Sequence, residues 1–192
     1  MANDPNPTRP TLPAPGAPSP RAPALGWFFA PLVVILIADL ISKQLIFAMD
    51  PIDVLQIPWL RHDVNTGVAW SLFSDYPSLV ALFTAVLIPI LFWAWWRWFR
   101  RGGRFENLIF GCIMGGALGN AYDRIMTALG LLDAGGVRDF IYVDLGIWPA
   151  DPWPTFNVAD IGISIGFVGL LLLSFKPPAD RGSAATVPES AG

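Results

Sequence analysis

The chain of 192 residues is 54% hydrophobic and only 14% charged, with a formal net charge of −3. A soluble domain ordinarily carries about 25% charged residues, so the composition points to a membrane protein, and it contains nothing like a basic nucleic-acid footprint. One cysteine, Cys112, excludes an intrachain disulfide framework and a multi-cysteine metal site, and one histidine, His62, argues equally against a histidine-rich centre.

Residues 1–24 carry Pro5, Pro7, Pro10, Pro13, Pro15, Pro18, Pro20 and Pro23 with almost no bulky apolar side chain. Such a stretch cannot bury enough surface to offset its ordering entropy, so it reads as a disordered cytoplasmic tail. It lacks the apolar core and short basic start of a signal peptide. Residues 25–176 read as one membrane domain, and residues 177–192 as a flexible C-terminal tail.

Four apolar stretches follow in order, at about 25–49, 77–99, 105–129 and 156–175. The second is uncharged from Ser78 to Trp96, long enough for a hydrocarbon core of ~30 Å. Four transmembrane helices are the natural reading, because an open sheet would leave backbone groups unpaired in lipid. Pro31 and Pro89 fall inside two of them.

The bases set the orientation. Arg97, Arg100, Arg101 and Arg104 crowd the connection between the second and third helices, and Arg9, Arg21, Lys176 and Arg181 lie in or beside the tails. Only Arg61 and Arg138 lie on the other side, so both termini and the middle loop are expected to be cytoplasmic. Trp95, Trp96 and Trp98 suit an aromatic belt on the inner side, and Trp148 and Trp153 one on the outer side. In the first external loop, residues 52–57 and 67–73 look strand-like about the turn Asn65-Thr66-Gly67. The expected fold is therefore a four-helix membrane bundle with a small β element in that loop.

Ionisable residues within such helices cost roughly 2.5–3.5 kcal/mol each on insertion scales, so each calls for a partner or a task. Asp39 and Lys43 stand one turn apart on the first helix, as an intrahelical ion pair would require; alternatively, Asp39 also holds the external element in place. On the third helix, Gly111, Gly115 and Gly119 repeat at the spacing that lets helices approach closely, which packing alone explains. Asn120 and Arg124 share a face there, and Asp123 and Arg124 form either a helix-end ion-pair network or part of a substrate site. Asp139, after Arg138, would by itself pass for a solvated loop residue, and Asp160 for a helix cap. Together they suggest paired carboxylates at one membrane surface. Such acids also suit a proton- or ion-coupled transporter or a noncatalytic scaffold, although no internal repeat accompanies them.

Five motifs occur in order: Asp39-x-x-x-Lys43; Asn65-Thr66-Gly67-Val68-Ala69-Trp70-Ser71; residues 116–124, Gly-Ala-Leu-Gly-Asn-Ala-Tyr-Asp-Arg; Val137-x-Asp139-Phe140; and Phe156-Asn157-Val158-Ala159-Asp160. The set resembles bacterial lipoprotein signal peptidase, the type II signal peptidase, over residues 25–176. The resemblance implies a monomeric aspartic endopeptidase of the bacterial inner membrane, without metal or cofactor, with its site near the periplasmic face. Its substrates would be prolipoproteins cut before a diacylglyceryl-modified cysteine, and membrane lipids would surround it. By motif position Asp139 and Asp160 match the catalytic pair, and Asn65, Asn120, Arg124 and Asn157 match substrate-site positions. Asp39, Lys43, Gly67 and Asp123 match supporting ones. The proline-rich tail lies outside the family pattern. The segment 142–155, with Pro149, Pro152 and Pro154, looks longer and richer in proline than the family's usual connection.

Overall fold

The computed structural model describes residues 25–67, 73, 75–144, 146 and 153–175. Both expected tails lie outside the described residues, as do 68–72 of the second strand-like run and 145 and 147–152 of the proline-rich segment. Helix α1 (Gly26–Phe47) leads to a short helix α2 (Pro51–Leu55) and strand β1 (Leu60–Asn65). Helix α3 (Pro77–Ala94) then runs into a π-helical turn at Trp95–Phe99. Helix α4 (Arg104–Ala128), strands β2 (Val137–Val143) and β3 (Trp153–Phe156), and helix α5 (Val158–Ser174) complete the order.

Helix α4 is the hub, packed against α1, α3 and α5. Its small residues make that possible. A Cβ on Gly111 would strike the Phe28 carbonyl of α1, and one on Gly116 would strike the Ala159 carbonyl of α5. The helix backbones therefore meet without intervening side chains. At the far end Gly130 takes φ 67°, and the bonds Gly130 N–H to Thr127 O and Leu131 N–H to Met126 O close a Schellman cap.

The outward faces are apolar. Val34, Leu45, Ile90, Val168 and Leu172 are all more than half exposed, as a lipid-facing surface requires. Helix α1 and the continuous span Pro77–Phe99 are each long and apolar enough to cross a membrane; α5 is apolar but shorter. One apolar cluster, Phe28, Trp95, Phe110 and Met114, fills one end of the bundle. A second, Val54, Leu60 and Phe140, lies at the opposite end beneath the sheet.

The sheet has the order β1-β2-β3, with both pairings antiparallel and β2 in the centre. It differs from expectation in two ways. Residues 52–55 are helical, because Asp50 caps the Ile52 N–H at 2.8 Å and Pro51 sits in the first turn, a start signal that overrides weak alternation. The β element also draws two of its three strands from the segment between α4 and α5. Arg138 and Asp139 accordingly occupy a buried central strand, 5% and 2% exposed, rather than a solvated loop.

Candidate active site

Four charged side chains form a buried network where α1, α4 and β2 meet. Lys43 Nζ lies 2.7 Å from Asp39 Oδ2 and 3.4 Å from Asp123 Oδ2. Asp123 Oδ1 in turn accepts from Arg138 Nη2 at 2.8 Å, and its Oδ2 accepts the Arg138 backbone N–H at 3.0 Å. Two acids and two bases balance one another, which is what permits full burial. The predicted pair Asp39–Lys43 forms, but Asp123 pairs with Arg138 and Lys43 rather than Arg124. Asp39 does not reach the sheet: its Oδ1 accepts the Ala159 N–H at 2.9 Å, tying α1 to the first turn of α5. Gly119 is required beside it, since a Cβ there would collide with the Asp39 carboxylate.

Two carboxamides connect this network to Asp139 and Asp160. Lys43 has only donors to offer, so Asn120 presents its oxygen to Nζ at 3.1 Å. That leaves the Asn120 Nδ2 group to donate to Asp160 Oδ1 at 2.8 Å. Asn157 Nδ2 donates to Asn120 Oδ1 at 3.0 Å and to Asp139 Oδ1 at 2.6 Å. Asn157 is also the N-cap of α5. Its Oδ1 accepts the Asp160 N–H at 3.0 Å while its own N–H donates to Asp160 Oδ2 at 3.1 Å, a reciprocal capping box. The helix cap and the carboxylate clamp are the same residue.

Asp139 and Asp160 both line a cavity of about 520 Å³ with Asn65, Asn120 and Arg124. Phe83, Leu87 and Ile88 from α3 and Ile163 from α5 add apolar wall to it. Burial, reinforced by the neighbouring Asp160 charge, raises the Asp139 carboxyl from 3.8 to about 7, against the opposing pull of hydrogen bonds from Asn157 and Asn65. Such a group carries a proton near neutral pH and exchanges it readily. Arg124 Nη2 donates to the Gly67 carbonyl at 2.7 Å, and the Gly67 N–H donates to Asn65 Oδ1 at 3.0 Å. Among the described residues the buried Arg124 Nε has no partner.

All ten residues singled out in the sequence therefore lie in, or one hydrogen bond from, this cluster. Sequence reasoning missed Asp63 and Thr155, which share a side-chain hydrogen bond at the cavity wall. It also missed Arg138 as the partner of Asp123. The signal was present, because adjacent residues of a strand point to opposite faces, so a strand presenting Asp139 to the cavity turns Arg138 away from it. Cys112 is buried and packs in α4, as its surroundings imply.

The fold is one shared with membrane enzymes. It superposes on two bacterial membrane enzyme structures determined in meso at 2.3 Å and 1.9 Å resolution, each with a TM-score of 0.66 and 24% identity. The matches cover 80% and 83% of this chain and 90% and 99% of the others. The sequence narrows the class. The pattern of the family described as signal peptidase (SPase) II matches residues 32–176, and the chain belongs to that family of proteases. A lipoprotein signal peptidase of Methylobacterium sp. (strain 4-46) is 36% identical over 161 residues, covering 82% of this chain and 86% of the relative. That of Aquifex aeolicus (strain VF5) is 34% identical over 154 residues, covering 78% and 86%.

Proposed function

We propose that the chain is an aspartic endopeptidase that removes signal peptides from prolipoproteins by cutting before a diacylglyceryl-modified cysteine. The observation that carries the reading is the double grip of Asn157, whose side chain holds Asp139 at 2.6 Å while its backbone N–H holds Asp160 at 3.1 Å. Two carboxylates fixed on one cavity cannot both ionise cheaply, so the pair shares a proton near its working pH. The ionised member acts as general base on a water molecule, and the protonated member polarises the scissile carbonyl. As the tetrahedral intermediate collapses, that proton passes to the leaving amine. The two acids titrate as a pair, so the proton belongs to the dyad.

Asn65, Asn120, Arg124 and Asn157 serve the substrate side in this reading, with the Arg124 guanidinium facing a peptide carbonyl. Asp39, Lys43, Gly67 and Asp123 hold the frame. The apolar α3 and α5 walls suit acyl chains entering from lipid. Helices α1, α3, α4 and α5 are the four crossings of the inner membrane. The arginine-rich connection between α3 and α4 faces the cytoplasm, and the sheet faces the periplasm, as the distribution of bases supports. The working unit is a monomer.

The test is cleavage of a diacylglyceryl-modified prolipoprotein by purified protein in lipid, comparing wild type with Asp139→Asn and Asp160→Asn. Either substitution is expected to abolish turnover while the thermal transition persists. Turnover by either variant would sink the dyad. An inactive wild type, under conditions where a known signal peptidase II cleaves, would sink the peptidase reading. Inhibition by the cyclic peptide globomycin is a second expected outcome.

A further inference from the structure

The end of the bundle opposite the sheet carries a second, smaller cavity of about 240 Å³, lined by Trp96, Arg97, Trp98, Arg100 and Arg101. Its shape follows from the π-helical turn, closed by the Arg100 N–H bonded to the Trp95 carbonyl at 2.9 Å. Turns of this kind are rare in helices and cluster at functional sites. This one is anchored. Trp95 is fully buried, stacks on Phe28 with ring centroids 3.6 Å apart, and donates its Nε1–H to Asn107 Oδ1 at 2.9 Å. Asn107 in turn donates to the Gly103 carbonyl at 3.0 Å, which fixes the connection to α4.

Among the described residues, the arginines around this rigid turn, Arg97, Arg100 and Arg101, have no ion-pair partner. The nearby acid Glu106 folds over Gly102 and Gly103 instead. Arg100 stacks on Trp96, its guanidinium carbon 4.1 Å from the ring centroid, which orients its planar donors. A concave site with three guanidinium groups, beside an exposed tryptophan at the end of an apolar span, suits a phosphate ester whose acyl chains lie along that span.

We infer that this turn is a binding site for the phosphate headgroup of an anionic phospholipid. The inference rests on the chain being embedded in a membrane and is independent of peptidase activity. The full chain is placed in nanodiscs of equimolar phosphatidylglycerol and phosphatidylcholine, and the lipid retained is read by native mass spectrometry. Cleavage activity is measured on the same samples. Wild type is expected to retain phosphatidylglycerol in preference to phosphatidylcholine. Arg100→Gln and Arg101→Gln should each weaken retention roughly fivefold. Arg100→Lys keeps the charge but loses the stacked planar fork, and should still weaken retention roughly threefold.

Retention by Arg100→Lys equal to wild type would reduce the site to diffuse attraction and overturn the proposal. Equal retention of the two lipids would overturn it as well, as would displacement of the lipid by inorganic phosphate. All three arginines lie on the surface or half-buried, so the variants fold, and cleavage stays at the wild-type rate in detergent. Loss of lipid with cleavage intact separates this site from the peptidase cavity. Loss of cleavage in wild type leaves the lipid result standing.

Discussion

Lys43 donates a hydrogen bond to Asn120 Oδ1 at 3.1 Å while lying 2.7 Å from Asp39 and 3.4 Å from Asp123. With Arg138 it balances the two buried carboxylates, and it fixes which way the Asn120 carboxamide faces Asp160. Replacing it with methionine leaves two buried carboxylates short of a cation, at a cost of about 3–5 kcal/mol. Denaturation of Lys43→Met in detergent should show a loss of that size, and cleavage should fall with it. If the double variant Lys43→Met/Asp39→Asn regains stability without regaining cleavage, the amide orientation matters separately from the charge balance.

Asn157 joins helix capping to carboxylate positioning. Asn157→Ala should lose about 1 kcal/mol from the missing cap. Its cleavage rate should fall by about a hundredfold, more than that stability change explains, because Asp139 loses its Asn157 donor while Asp160 keeps the backbone N–H and Asn120. Asn157→Ser retains a capping oxygen but cannot reach Asp139 as a donor over the same distance. Comparable Tm values for Asn157→Ser and wild type, with cleavage as low as in Asn157→Ala, would separate the two roles.

Proton uptake by Asp139 gives a pH signature. Its carboxyl is raised from 3.8 to about 7, so between those values the folded chain holds a proton that the unfolded chain has released. The contribution to stability is therefore fully present below pH 3.8 and is lost as pH rises through about 7. Asp139→Asn has no such proton, so its stability relative to wild type should improve across that window and level off above it. Under the proposed dyad mechanism, wild-type cleavage should decline as pH rises beyond about 7, where Asp139 gives up its proton. Equilibrium denaturation and kcat/KM across the same pH series check both limbs.

Gly116 lies where the backbones of α4 and α5 touch. A methyl group at that position meets the Ala159 carbonyl, one residue before Asp160. Gly116→Ala should destabilise the protein by about 1–3 kcal/mol and displace the first turn of α5. Cleavage should drop more steeply than in Gly130→Ala, where nothing crowds the added atom but φ is positive.

The helices and the Asp39–Lys43 pair were legible in the sequence because their signals are local; Asn65, Gly67 and Asn157 were marked by the ordered motifs of the family resemblance, not by local signals. Long apolar spans, a four-residue glycine repeat and ionisable residues within apolar segments each carry a physical cost that names them. The sheet was harder to read. Residues 137–140 are all buried, so both faces of β2 are covered and the alternation that marks a half-exposed strand is missing. Asp50-Pro51 is a local helix-start signal, and it prevails over the alternation of the residues after it. The pairing of Asp63 with Asp139 is long-range and follows from strand register, and that of Asp123 with Arg138 follows from the packing of α4 against β2.

The central strand of the sheet comes from later in the chain than its neighbour β1. During synthesis, β1 and the first two long helices exist before there is any strand for β1 to pair with, and Asp139 arrives only after α4 is complete. Asp160 emerges later still, together with the cap that holds both acids. A nascent chain ending before α5 therefore holds Asp39, Lys43, Asp123 and Arg138 but lacks both Asp160 and the Asn157 clamp, so under the proposed function cleavage competence is acquired in the last stage of synthesis.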